Sequence, residues 1–168
     1  ESNKAQILMF IRNKMIESAN ILRHTRSLIW NADDALLLFE IIRKTPEGLT
    51  CGVCRSGAGI KVLEQYASTL GELDRPMLAV KEPSVNNFEG FRKTLSQFKD
   101  TEFDRIFFRD IFTNTEEIKS AAKAFRNAFT GKIKEEKDIA FTEDTALHKN
   151  ENPLFAENAI IIISSKRL

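Results

Sequence analysis

The chain has 168 residues, 42% hydrophobic and 29% charged, with 25 Lys+Arg against 24 Asp+Glu. That length supports one domain with a sizeable core, the balanced charge gives no electrostatic footprint for nucleic acid, and no apolar run approaches the roughly 20 residues that span a bilayer. Two Cys and two His are too few for a four-ligand zinc site without help from carboxylates, and a single Cys pair excludes a disulfide framework.

No secretory signal is recognisable ahead of the domain, so the expected setting is cytoplasmic and reducing. From the N-terminus, Ile7, Leu8, Ile11, Met15 and Leu22 recur at helical spacing, which predicts a helical lead-in over residues 1–30. Residues 33–44 (DDALLLFEIIRK) are apolar nearly all round and predict a buried helix, capped by Asn31 or Asp33 and stopped at Thr45-Pro46. LTCGVC (49–54) predicts a strand. Ile60, Leu63, Tyr66, Ala67 and Leu70 predict a helix ended by Gly71. PMLAVKE (76–82) predicts the next strand, and Phe88, Phe91, Leu95 and Phe98 form another helical stripe. FDRIFFRDIF (103–112) reads as a strand. NTEEIKSAAKAFRNAFTG reads as a helix capped by Asn114 and closed by Gly131. A charged turn at 132–138, a strand IAFT, a polar loop at 143–158 and a strand at 159–164 complete the chain. Helices alternating with strands whose centres are uniformly apolar predict one α/β domain, a Rossmann-like three-layer sandwich with a mainly parallel sheet over 31–168.

The stretch CGVCRSGAGIKVLEQYA (51–67) carries most of the chemistry, and it has three readings. As a redox dithiol, Cys51 and Cys54 need a thiolate at a helix N-terminus and a resolving partner. Gly57 and Gly59 weaken the helix that must begin there. As a cysteine-phosphatase loop, an Arg must follow six residues after the Cys, but Gly57 and Ile60 occupy those positions. As the strand–turn–helix of a nucleotide cradle, the glycines allow close backbone approach, and Glu82, ending the next strand, lies where a ribose-binding carboxylate is expected.

On these residues the chain resembles the class I S-adenosylmethionine-dependent methyltransferases, from about Ala32 to the C-terminus. C54-R55-S56-G57-A58-G59 is similar to the second half of that family's first motif. MLAVKEPS resembles its second strand, ending in the acid that grips the ribose hydroxyls. FDRIFFRD resembles its fourth strand, and AIIIISSK its last. The resemblance implies S-adenosylmethionine as cofactor, with Cys51, Cys54, Ser56, Gly57, Gly59, Glu82 and Asp110 as candidate cofactor contacts. Methyl transfer would then be in-line attack of an unidentified acceptor on the sulfonium methyl, driven largely by positioning. Asp110 is a candidate base by location only, and no catalytic residue is assigned.

The chain departs from the pattern in ways that matter. Cys51 stands where the family has an acid, Val53 and Arg55 stand where it has glycines, and little room remains for a third strand between Glu82 and Phe103. These departures motivate an alternative, a non-catalytic methyltransferase-like domain used as a partner subunit or scaffold. Each candidate also has a plain structural reading. The glycines suit an ordinary turn, Glu82 a solvated strand end, Arg109 and Asp110 a surface ion pair, and the cysteines small buried side chains. His24 and His148 have no partner pattern, and Trp30 suits either a pocket mouth or a surface anchor.

Overall fold

A computed structural model describes residues 2–81, 93–94, 96–98, 101–109, 132–137, 140–144 and 155–165. Among these residues seven strands form one sheet: β1 (Arg26–Trp30), β2 (Leu49–Cys54), β3 (Met77–Val80), β4 (Phe103–Arg109), β5 (Lys132–Lys137), β6 (Ala140–Asp144) and β7 (Phe155–Ser165), in the spatial order β3-β2-β1-β4-β7-β5-β6. Every neighbouring pair is parallel except the antiparallel β5–β6 edge. Among the described residues the α-helices are α1 (Ser2–Ala19), α2 (Leu36–Lys44) and α3 (Gly57–Ala67). The expected Rossmann-like α/β sandwich is therefore present.

One correction reorganises the rest. Residues 26–30 belong to the predicted helical lead-in, yet they form β1, the strand between β2 and β4 near the middle of the sheet. The run RSLIW is only five residues long, with no Gly or Pro to punctuate it, so the helical pattern upstream masks it. Burial makes it a strand: Ser27, Leu28, Ile29 and Trp30 are all 1% exposed or less. Its start is pinned where the Asp104 carboxylate accepts from the Arg26 backbone N–H at 2.9 Å and from the Arg26 Nε at 3.4 Å. The strand that seemed to be missing after Glu82 is thus at the front of the chain.

Smaller differences follow. The predicted helix over 33–44 splits into a 3-10 turn at Ala32–Asp34 and α2, and neither Asn31 nor Ala35 makes a side-chain cap. Gly57 and Gly59 lie inside the first turn of α3, where Ser56 Oγ accepts from the Gly59 N–H at 3.4 Å. The charged run at 132–138 is mostly strand β5, whose backbone is satisfied by β7 and β6 on either side. The polar loop at 143–158 yields its last residues to β7. The predicted helix at 114–131, the residues Phe88, Phe91 and Leu95, and His148 lie outside the described residues.

Alternation along each strand divides the core into two faces. One carries Ile29, Cys54 and Phe107 and packs against Met15 and Ala19 of α1, Leu37, Leu38 and Ile41 of α2, and Leu63 of α3. The other carries Leu28, Trp30, Cys51, Val53, Ala79, Ile106 and Phe108, all at most 2% exposed. Phe98 and Phe103 are also buried and meet edge to face, with centroids 6.1 Å apart. Arg105 ties α1 to the sheet, donating to the backbone carbonyls of Ala19 and Asn20 and so satisfying acceptors left over at the helix C-terminus.

Candidate functional site

In an open parallel sheet, a ligand crevice forms beyond the carboxyl ends of the strands where the chain reverses its direction of travel across the sheet. Here β1, β2 and β3 progress to one side, and β4 and β7 lie on the other. The switch point is between β1 and β4. The loops that shape it are the β1–α2 turn, Asn31-Ala32-Asp33-Asp34-Ala35, and the neighbouring β2–α3 turn at Arg55-Ser56.

The β1–α2 turn contains no glycine, although its backbone asks for one twice. Asn31 has φ 67° and Ala35 φ 65°. Asn tolerates the left-handed region through its short polar side chain, but Ala at positive φ is strained by about 1–2 kcal/mol. Between them, Asp33 reaches across to the next turn. Both of its carboxylate oxygens lie 3.2 Å from the Arg55 backbone N–H. A Cβ added at Gly59 would sit 2.6 Å from Asp33 Oδ1 and 3.6 Å from Cys54 Cβ. A Cβ at Gly57 would meet nothing within 4 Å. Of the two glycines, only Gly59 has a close neighbour that a side chain would displace, the Asp33 carboxylate. On the other face of the switch point, Trp30 and Phe108 fill the floor, with ring centroids 5.9 Å apart.

The predicted site residues are dispersed. Cys51 is buried within β2 and Cys54 is buried at its end. Ser56, Gly57 and Gly59 form the start of α3. Glu82 and Asp110 lie outside the described residues. Asn31, Asp33 and Ala35 were missed, because the strand that delivers them was missed. The available signal was LIW-NADDA-LLLF, an apolar triad, a polar turn and an apolar helix, together with a strand count one short downstream.

The dithiol reading is corrected by geometry. Cys51 and Cys54 are three residues apart on one strand, so they point to opposite faces about 10 Å apart along the chain. A disulfide needs Cα atoms within about 7 Å. Burial pushes the Cys51 thiol up to about 12. Burial, and then the nearby Asp33 charge, pushes Cys54 up to about 12 as well. A redox or nucleophilic cysteine needs the opposite shift.

S-adenosylmethionine fits poorly in the described part of this crevice. The turn that should admit a nucleoside lacks glycine and carries Asp33. The strand beside it ends in a neutral buried thiol, Cys54, where a carboxylate would accept from ribose hydroxyls. Among the described residues no His, Cys, Asp or Glu cluster could hold a metal ion, and no helix is long and apolar enough to cross a membrane.

No family model matches the chain, and no curated protein matches its sequence. Solved structures do match its fold. A coclaurine N-methyltransferase bound to N-methylheliamine and SAH superposes with a TM-score of 0.53 at 12% identity, over 70% of this chain and 31% of that one. A structure described as a sarcosine dimethylglycine methyltransferase, from Galdieria sulphuraria, gives 0.50 at 13% identity, over 76% and 46%. The chain thus spans less than half of the length of these structures. With β1 restored as the first strand, the chain has the fold of the class I S-adenosylmethionine-dependent methyltransferases.

Proposed function

We propose that this chain is a methyltransferase-fold domain used for binding, as a partner subunit or scaffold, and not for methyl transfer. The observation that carries the reading is the corner at the switch point, where Asp33 accepts from the Arg55 amide and lies close against Gly59, in place of a glycine-rich cradle. The buried free cysteines accord with a reducing, cytoplasmic setting. The test is isothermal titration of the purified domain with S-adenosylmethionine and S-adenosylhomocysteine. The expected result is no heat and no thermal shift at millimolar ligand. Micromolar affinity for either compound would overturn it.

A second reading, S-adenosylmethionine-dependent transfer of a methyl group to an unidentified acceptor, is favoured by the strand order, which keeps the switch point between β1 and β4. In that reading the cofactor contacts would come from Cys51, Cys54, Ser56, Gly57, Gly59, Glu82 and Asp110. Micromolar binding lost on Glu82→Ala would support it.

A further inference from the structure

If the domain works without a cofactor, something else must hold its switch corner together. We infer that Asp33 is the resident ligand of that corner, an internal carboxylate that locks the β1–α2 turn onto the start of α3. The inference rests on the binding-domain reading and supplies its conformational basis.

Three observations converge. The Arg55 N–H, the first amide after β2, is shared between the two Asp33 oxygens, both at 3.2 Å. The carboxylate lies so close to Gly59 that a side chain there would push it aside, whereas Gly57 beside it faces open space. The turn adopts positive φ at Asn31 and Ala35, on either side of Asp33. Strain is tolerated where the surrounding structure over-determines it, and here it presents one carboxylate to the neighbouring turn. The N-terminus of a helix favours negative charge, so Asp33 supplies internally what a bound anion would supply from solution. The nearby Cys54 thiol feels the same charge, which adds to burial in keeping it protonated.

The test is amide hydrogen exchange on the ¹⁵N-labelled chain, comparing the parent with Asp33→Ala and Asp33→Asn. Arg55 should exchange at least tenfold faster in Asp33→Ala and at an intermediate rate in Asp33→Asn, which keeps an acceptor oxygen. The Phe107 amide, in central β4, should keep its protection and so report an intact sheet. An unchanged Arg55 rate in Asp33→Ala, with Phe107 still protected, would overturn the inference. If Asp33→Ala also loses protection at Phe107, Gly59→Ala carries the test under the same criterion, because it displaces the carboxylate while keeping it in the chain. Binding of S-adenosylhomocysteine to the parent protein would defeat the binding-domain reading, while the Arg55 rate alone decides the lock.

Discussion

Gly59→Ala separates two reasons for a glycine in the first turn of α3. Gly59 is helical and shows no positive φ, so on propensity alone alanine should be better by up to about 1 kcal/mol. Against this, the new Cβ would stand 2.6 Å from Asp33 Oδ1. The obstacle is the end of a flexible side chain, so it moves, and the cost is the hydrogen bond it leaves at Arg55. That loss is worth about 1–2 kcal/mol. The net expectation is destabilisation of about 0.5–1 kcal/mol in the parent protein, from the balance of those two terms. In an Asp33→Ala background the obstacle is gone, and Gly59→Ala should stabilise by about 0.5–1 kcal/mol. The coupling energy is then about 1–2 kcal/mol, within the range for residues in contact. Urea unfolding of the four proteins measures it, followed by the fluorescence of Trp30, the one tryptophan and fully buried. An effect of Gly59→Ala that is the same in both backgrounds would refute the steric argument.

The thiols make a pH prediction. Both cysteines titrate near 12 in the folded state, against 9.0 ordinarily, so the unfolded chain releases their protons first. Their contribution to stability is complete below about pH 9 and is lost between there and pH 12, at up to about 1.4 kcal/mol per thiol per pH unit. Stability should fall above pH 9, less steeply in Cys51→Ala/Cys54→Ala, and a flat profile to pH 10.5 would contradict the burial argument. Native protein should also resist thiol reagents at neutral pH, and a 51–54 disulfide formed without unfolding would disprove the opposed-face geometry. Gly48→Ala should destabilise by about 2–4 kcal/mol, because its Cβ would stand 2.1 Å from the Thr25 carbonyl oxygen and only backbone movement relieves that; a midpoint in urea within error of the parent would refute the contact. Trp30→Ala should cost about 3–5 kcal/mol by leaving a cavity beside Phe108, and Trp30→Phe much less, as read by circular dichroism.

The legible parts of this chain were those with length and punctuation. LTCGVC ran as a strand between the Glu47-Gly48 turn and the α3 glycines, and its predicted bounds match β2. FDRIFFR could be recognised by its apolar centre, and α2 by its dense apolar content. β1 had neither advantage. Five residues do not establish a period of two, and RSLIW continues a helical pattern without a break. Losing that one strand moved the presumed cradle from the β1–α2 turn to the β2–α3 turn and its glycines at 57 and 59, of which only Gly59 lies against Asp33. The β5 misreading has the same origin: KIKEEK has a solvated composition, and its strand state comes from two neighbouring strands that supply backbone partners.

The sequence by itself pointed to an α/β fold with a mainly parallel sheet and to a likeness to the methyltransferases. The fold class follows from hydrophobic periodicity and turn residues and the likeness from short motifs, all of which are local. Only the tertiary structure decided which strand is first, which turn faces the switch point, that two cysteines three residues apart look in opposite directions, and that Asp33 meets an amide 22 positions away. Such facts depend on which segments become neighbours across the sheet. Strand order is a property of the packed whole, and no window of the sequence contains it.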